Sequence, residues 1–293
     1  MKNCPICGSE LNPTKSTSTF RIKDHSVSKE VFELTSCTDC EILHTNFNEN
    51  KNISDYYAGE DYASHNLSYL NPVHLLYGIA RTFTLRGKKR LVGKISNGKR
   101  ILDYGCGTGD FLSVMNKAGW STTGYEPSQK AREEASRKNI QELWGNENQI
   151  TGPYDIITLW HVLEHTSNPK ETVTILKQKL SKGGTIIIAV PNYKSFDAEM
   201  YKDFWAGYDV PRHLWHFSEK SISNLADSVG LTIQRILPMK LDAYYVSLLS
   251  EKYRNSGKQS LSTYFRAIKI GYSSNKKAEK TGESSSKIYI LTQ

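Results

Sequence analysis

Four cysteines near the start of the chain have the spacing of metal ligands. They form two Cys-x-x-Cys pairs, Cys4 with Cys7 and Cys37 with Cys40, and the first pair lies in a Cys-Pro-x-Cys-Gly turn. Four thiolates in this arrangement bind zinc tetrahedrally and leave no position for a reactive water. The pairs therefore predict a structural zinc site, and they favour a reducing compartment over disulfide formation.

Histidines at two other places have the chemistry to handle protons. His161 and His165 stand four apart in His-Val-Leu-Glu-His, and His213 and His216 lie in Pro-Arg-His-Leu-Trp-His-Phe-Ser. Imidazole changes charge near neutral pH, and burying these polar side chains between aromatic residues is costly without partners. We expect His213 to act as a base, His216 to be a further catalytic candidate and His161 to lie near the reacting group. A structural role stays open for His213 and His216 as loop histidines, and for His165 as a residue that caps or packs the start of a helix.

A glycine-rich turn and two carboxylates form the third group. In Ile-Leu-Asp-Tyr-Gly-Cys-Gly-Thr-Gly, Asp103 precedes Gly105 and Gly107, and Glu126 follows 23 residues after Asp103. Glycine lets the backbone turn sharply and approach a ligand, and a carboxylate after the next strand can accept hydrogen bonds from ribose hydroxyls. The pattern predicts a nucleoside cofactor, while its Gly-x-Gly-x-Gly spacing differs from the Gly-x-Gly-x-x-Gly of dinucleotide sites.

These residues need a scaffold that brings strand ends together. From Arg100 onward, short apolar runs alternate with helical patterns and glycine turns. Such alternation is typical of a parallel sheet with helices on both faces, which binds ligands at the carboxyl ends of its strands. We predict an α/β fold with a doubly wound, mostly parallel, seven-stranded Rossmann-like sheet. Its strands are expected at residues 101–104, 122–126, 140–144, 154–160, 185–190, 231–237 and 287–291.

Between about residues 100 and 237 the sequence resembles the class I S-adenosylmethionine-dependent methyltransferases. The resemblance rests on Leu-Asp-Tyr-Gly-Cys-Gly-Thr-Gly, Gly-Tyr-Glu-Pro, Tyr-Asp-Ile-Ile followed by His-Val-Leu-Glu-His, and Leu-Ser-Lys-Gly-Gly. It implies S-adenosylmethionine as cofactor, with the methionine part at the glycine turn, the ribose at Glu126 and the adenine near Asn146 or Glu147. The cofactor-binding residues implied in this way are Asp103, Gly105, Cys106, Gly107, Glu126, Trp160 and His161. Cys106, between two glycines, is expected to be a small packing residue rather than a nucleophile.

The cysteine pairs and the second histidine run resemble those of bacterial deoxysugar C-methyltransferases. Those enzymes begin with a zinc module and carry His-Glu-His-Leu-x-Tyr-Phe-Ser, whose second histidine is taken as the base and matches His213. Arg212 replaces the glutamate, and where those enzymes have a C-terminal domain this chain has only the segment 240–286. The resemblance implies O-, N- or C-methylation of a small molecule such as a sugar or another polar metabolite.

The chain is predicted to have three parts: a zinc-binding module at 1–46, a helical lid or linker at 47–99, and a methyltransferase domain at 100–293 with an insertion at about 240–286. Three tyrosines of the middle part are expected to belong to a lid over the cofactor or, equally, to be core aromatics. They are Tyr56, Tyr57 and Tyr62.

The charge of the chain keeps other functions open. The net charge is +8, and residues 81–100 hold eight Lys or Arg and no Asp or Glu. Basic clusters bind anionic substrates and nucleic acids, although a short charge run is more often a solvated helix face. Together with the zinc module, this stretch keeps open an alternative function, an RNA methyltransferase or a nucleic-acid-binding zinc protein. A third possible function is a regulatory protein that binds the cofactor without turnover.

Hydropathy excludes an integral membrane protein. The longest purely apolar run, residues 186–190, is far shorter than the roughly 20 residues of a spanning helix, and no apolar segment follows the first lysine as in a secretory signal. The sequence predicts a cytoplasmic protein with a small-molecule substrate and no membrane partner.

Overall fold

The computed structural model describes residues 3–9, 20–48, 50–57, 72–96, 98–258 and 260–293, and at residues 72–80 it describes the backbone. The strands are β1 (Phe20–Lys23), β2 (Val31–Ser36), β3 (Leu43–Thr45), β4 (Arg100–Tyr104), β5 (Ser121–Tyr125), β6 (Glu142–Trp144), β7 (Tyr154–Trp160), β8 (Leu180–Pro191), β9 (Trp215–His216), β10 (Thr232–Pro238) and β11 (Ser286–Thr292). The α-helices are α1 (Pro72–Ile95), α2 (Asp110–Asn116), α3 (Gln129–Ser136), α4 (Pro169–Gln178), α5 (Phe196–Tyr201), α6 (Glu219–Ser228), α7 (Asp242–Arg254) and α8 (Leu261–Thr281).

Seven strands form the main sheet, in the order β6-β5-β4-β7-β8-β11-β10. The strands β4 to β8 pair in parallel with their neighbours, and β11 runs antiparallel to both β8 and β10. The predicted mostly parallel, doubly wound sheet is confirmed, and each predicted strand has a counterpart. The largest difference is in β8, which begins at Leu180 instead of residue 185 and includes Lys182, Gly183 and Gly184.

The chain direction across the sheet reverses at β4, which lies between β5 and β7. At such a point the loops after neighbouring strands diverge and leave a crevice at the carboxyl edge of the sheet. Asp103, Glu126 and Trp160 lie at or just after the carboxyl ends of these three strands. Fully buried isoleucines in β7 and β8, including Ile156 and Ile187, fill the sheet behind the crevice.

A second sheet joins the N-terminal residues to the second histidine run. Its order is β1-β2-β3-β9, with every pair antiparallel. In β9, His216 pairs with Leu43 and Trp215 pairs with His44. A two-residue strand has no periodicity, so no sequence pattern predicts this pairing. The domain boundary at residue 46 stays a prediction, but the sheet that residues 20–45 begin is completed by residues far along the chain.

The predicted insertion folds into a helical hairpin, α7 and α8, between β10 and β11. Small residues let α8 approach its neighbours: a Cβ added to Gly271 would lie 3.0 Å from the Cα of Tyr244 in α7. The buried carboxylate of Asp197 in α5 accepts hydrogen bonds from Ser274 of α8 at 2.6 Å and from Ser285 at 2.7 Å. These contacts fix the orientation of α8.

Much of the basic stretch lies on α1, which packs on the main domain through one face. Arg81 pairs with Asp110 of α2, and Val92 is fully buried. Arg86, Lys89 and Arg90 are exposed, as on a solvated helix face. The nucleic-acid alternative stays a prediction. Of the helices in the described ranges, none combines the length and the hydropathy needed to cross a membrane.

Candidate cofactor and catalytic site

The glycine turn after β4 has one packed side and one open side. Gly105 and Gly107 both have positive φ, +75° and +54°, a conformation that favours glycine. A Cβ at Gly105 would lie 2.6 Å from Cγ2 of Val162, whereas a Cβ at Gly107 would meet no atom of the described residues within 4 Å. Among these residues, the backbone at Gly107 therefore faces open space against which a ligand can lie.

Glu126 lies beside this open turn. Its Oε2 accepts a hydrogen bond from the backbone N–H of Gly107 at 2.9 Å, and its Oε1 accepts one from the N–H of Ser128 at 2.9 Å. The half-buried carboxylate is thus held at the mouth of the crevice. The residues expected at the amino-acid and ribose parts of the cofactor are neighbours in space.

Asp103 and Trp160 have polar groups that could form hydrogen bonds with a ligand. Burial raises the pKa of Asp103 to about 7, although a 2.6 Å hydrogen bond from Thr158 and the charge of Lys88 act in the opposite direction. The Nζ of Lys88 lies 4.3 Å from the centroid of a Trp160 ring. Trp160 Nε1 is buried and has no acceptor among the described residues. The Asp103 carboxylate can accept a hydrogen bond from an ammonium group of a ligand, and the Trp160 N–H can donate to a ligand acceptor atom.

His161 is held between two carboxylates. Its Nε2 lies 3.0 Å from Oδ2 of Asp242 in α7, and its Nδ1 lies 3.3 Å from Oε1 of Glu164. Burial lowers the pKa of His161, but the two carboxylates outweigh burial and raise it to about 10. The ring is therefore charged at neutral pH, donates a hydrogen bond to Asp242 and forms an ion pair with Glu164. No sequence pattern indicates Asp242, which comes from the insertion.

His213 has the geometry of a proton acceptor. Its buried ring donates from Nδ1 to the carbonyl oxygen of Gly207 at 2.9 Å, which leaves the lone pair on Nε2. Nε2 lies 4.0 Å from Oδ2 of Asp209, and the ring is edge-on to His165 with centroids 4.6 Å apart. Side-chain ligand atoms of His213, His165 and the buried Glu164 lie within 4.8 Å of one another. His213 thus combines a free lone pair with carboxylates near enough to stabilise the protonated ring.

His165 belongs to this cluster, a placement the sequence did not predict. Its Nδ1 lies 2.9 Å from the carbonyl oxygen of Arg212 and 3.2 Å from the hydroxyl of Tyr57. Burial, together with the charge of His213, lowers the pKa of His165 to about 4, so its ring is neutral. Asn168, and not His165, caps α4, so of the two structural alternatives for His165 only the packing role stays open.

His216 has a contact that favours the structural alternative. It is buried in β9, and its Nε2 donates to the hydroxyl of Thr45 at 2.9 Å. The same hydroxyl donates to the carbonyl oxygen of His213 at 2.8 Å. Burial lowers the pKa of His216 well below its ordinary value, and the ring is neutral. Its catalytic role stays a prediction, while its observed contact ties the loop of His213 to β3.

Arg212 links the same loop to the N-terminal residues. Its Nη2 lies 2.9 Å from Oδ1 of Asp24 and 2.7 Å from Oδ1 of Asp209, and its Nη1 donates to the carbonyl oxygen of Tyr56 at 3.0 Å. The side chains of Arg212 and Asp24 are 1% and 0% exposed. The residue that departs from the deoxysugar methyltransferase pattern is therefore the centre of a buried ion cluster.

The four cysteines of the N-terminal pairs meet in space. Cys4 Sγ lies 3.5 Å from Cys40 Sγ, Cys7 Sγ lies 3.5 Å from Cys37 Sγ, and all four sulfurs lie within 4.8 Å of one another. Tetrahedral Zn–S bonds of about 2.3 Å would separate the sulfurs by about 3.8 Å. The donor set and its dimensions fit a zinc ion.

The remaining residues predicted near the cofactor lie at two places, the glycine turn and the end of β6. Cys106 is buried, and a Cβ on Gly124 would lie 2.8 Å from its Sγ, so the contacts favour the packing role over a nucleophilic one. Burial and the nearby carboxylates raise the pKa of the thiol. Asn146 and Glu147 follow β6, where Glu147 accepts a hydrogen bond from Tyr104 at 3.1 Å. Their contact with adenine stays a prediction.

The lid tyrosines are separated by the structure. Tyr56 is 5% exposed and packs edge-on against Phe32 of β2, so it is a core residue rather than part of a lid. Tyr57 is 37% exposed and contacts His165. Tyr62 lies outside the described residues.

The comparisons with known proteins agree with this geometry. A family model of the methyltransferase domain matches residues 78–236, more than half of the chain, and the chain belongs to this family. The ubiquinone biosynthesis O-methyltransferase of Escherichia coli O157:H7 is 30% identical over 136 residues, which cover 43% of this chain and 52% of that protein. The chain thus spans about half the length of the curated relatives it matches.

Solved structures show the same fold. Magnesium protoporphyrin IX methyltransferase from Synechocystis PCC 6803 with bound S-adenosylhomocysteine has a TM-score of 0.54 at 16% identity, covering 81% of this chain and 96% of that chain. Its complex with S-adenosylmethionine has a TM-score of 0.51 at 15% identity, covering 84% and 99%. At such identities the likeness establishes the fold alone.

Proposed function

We propose that the chain is an S-adenosylmethionine-dependent methyltransferase that acts on a small molecule. The crevice carries the proposal: Gly107 presents open backbone, Glu126 is bonded to that backbone, and Asp103 lies buried at the end of β4. Membership of the methyltransferase-domain family supports it, as do the cofactor complexes of proteins that share the fold.

The cofactor, when bound, supplies a methyl group already activated on a sulfonium. Asp103, Gly105 and Gly107 would hold its amino-acid part, and Glu126 would accept hydrogen bonds from its ribose. Trp160 Nε1, which has no acceptor among the described residues, would gain one. The main contribution of the protein is alignment, which can supply about 7–11 kcal/mol of the barrier.

His213 would accept the proton of the acceptor molecule. Nδ1 is fixed as a donor to Gly207, so Nε2 is available, and Asp209 would stabilise the charged ring from 4.0 Å. His161, held charged by Asp242 and Glu164, would act as a hydrogen-bond donor rather than a second base. The two histidines are given different roles because His161 lies between two carboxylates, whereas Nδ1 of His213 is bonded to a backbone carbonyl oxygen.

We further propose a polar metabolite, such as a sugar, as acceptor and a structural zinc ion at the four cysteines. The cysteine cluster and the histidine loop support the resemblance to deoxysugar C-methyltransferases. The curated relatives are O-methyltransferases, so hydroxyl groups belong among the acceptors tested first.

Replacing His213 with alanine tests the assignment of the base. We expect S-adenosylmethionine binding by isothermal titration calorimetry to be unchanged, and methyl transfer from labelled cofactor to an acceptor found by screening with the wild type to fall about 10²- to 10⁴-fold. Undiminished transfer by a folded His213→Ala variant would reject the base. Absence of both cofactor binding and transfer in the wild type would reject the function.

A further inference from the structure

Helix α8 carries its large apolar side chains on the outside. Leu261, Phe265, Ile268 and Tyr272 are 78%, 72%, 57% and 55% exposed. They are spaced four, three and four residues apart, which places them in one row along one face of the helix. Monomeric proteins rarely leave such contiguous apolar surface without a use, so the row marks a contact surface.

The inward face of α8 has the opposite composition. Its buried residues are small: Thr263, Ala267, Gly271 and Ser274. The close approach at Gly271 and the 2.6 Å bond from Ser274 to the buried Asp197 hold this face against α7 and α5. An ordinary surface helix buries its large apolar stripe and exposes its polar face. Because the inward face of α8 is fully packed, its outward row cannot turn into the core.

The charge beside the row is mostly positive. Arg266, Lys269, Lys276 and Lys280 are exposed on α8, and the helix has a single acidic residue, Glu279. At 100° per residue, the three lysines follow the apolar row on the same side of the helix. An apolar row bordered by basic side chains is the pattern of helices that lie in the interface of anionic membranes.

We propose that α8 docks the protein on an anionic lipid surface, with the apolar row at headgroup depth and the lysines against lipid phosphates. Pairing with α8 of a second copy would offer these cations only Glu279 as counter-charge, whereas anionic lipid offers phosphate along the whole row. The contact requires no spanning segment. It differs from the sequence-based expectation of no membrane partner, which rested on the absence of a spanning or signal segment.

Vesicle flotation of the full chain tests this surface. We expect flotation with phosphatidylcholine vesicles that contain phosphatidylglycerol, weaker flotation with phosphatidylcholine alone, and weakening by salt. Combining Phe265→Ser with Ile268→Ser should reduce partitioning by at least about tenfold, since it removes two large apolar side chains from the contact. Lys269→Glu should weaken binding to the anionic vesicles.

The matched control is Phe83→Ser, which changes an exposed phenylalanine of α1, 60% exposed, and should float like the wild type. Circular dichroism checks that each variant is folded. Failure of the wild type to float, or equal flotation of the wild type and the double variant, would overturn the proposal. A wild-type dimer that ignores vesicles and that the double variant converts to a monomer would assign the face to a second copy and also overturn it.

Discussion

Replacing Asp24 with asparagine is expected to lower the free energy of unfolding by about 3–5 kcal/mol, the cost of removing one member of a buried ion pair. Asp24 is the partner of Arg212 at 2.9 Å, and both side chains are almost completely buried. The variant leaves the guanidinium with Asp209 as its remaining carboxylate partner among the described contacts. Urea unfolding gives the measurement.

The pH dependence of stability should change in the same variant. Burial acts to raise the pKa of Asp24, but hydrogen bonds from Arg212 and the N–H of Ser28 hold it below the ordinary value. A depressed carboxyl pKa gives stability that is present above the unfolded pKa of about 4 and is lost as pH falls below it. Asp24→Asn should lose this part of the acid dependence.

The control for this prediction is Asp227→Asn, which changes an exposed aspartate of α6. It should leave the free energy of unfolding within about 0.5 kcal/mol of the wild type, as is usual for surface substitutions. A loss for Asp24→Asn no larger than that of Asp227→Asn would show that the ion cluster does not hold the His213 loop.

Cys40→Ser should remove the zinc ion that we propose at the four cysteines, and with it much of the order of the N-terminal sheet. Structural zinc contributes about 10–16 kcal/mol of apparent binding free energy in small zinc-binding peptides, and Cys40 is fully buried in the cluster. Metal analysis should find one zinc per wild-type chain and far less in the variant, with a lower melting temperature. Because β3 pairs with β9, methyl transfer should also fall.

Cys106→Ser is the matched substitution, since Cys106 lies at the glycine turn and outside the cysteine cluster. It should keep the full zinc content. Equal zinc content in Cys40→Ser and the wild type, or wild-type protein purified without zinc, would exclude the structural metal site.

The strands of the main sheet could be predicted from the sequence, because local patterns specify them. Runs such as 186–190 and the glycines after β4 encode strand and turn through their own side chains and backbone. The same patterns located Glu126 and His161 just after the ends of β5 and β7. Local signals therefore predicted which of these residues follow the carboxyl ends of the parallel strands.

The sequence could not show which carboxylates pair with His161 and Arg212, because these pairs join distant parts of the chain. Asp242 lies 81 residues from His161, and Asp24 lies 188 residues from Arg212. Neither pair has a spacing or periodicity that a sequence pattern can show. These contacts distinguish the ring of His161, which lies between two carboxylates, from the ring of His213, whose Nδ1 donates to a backbone carbonyl oxygen. The side-chain type is the same at both positions and does not show this difference.

Binding of S-adenosylhomocysteine, measured by isothermal titration calorimetry, shows whether the glycine turn and Glu126 form a cofactor site. We expect saturable binding by the wild type and by Glu133→Gln, which changes an exposed glutamate of α3. The Kd of Glu126→Gln should be about ten- to a hundredfold higher, because a charged acceptor of hydrogen bonds is lost. Equal affinity of Glu126→Gln and Glu133→Gln, or no saturable binding by the wild type, would contradict a cofactor site at the glycine turn.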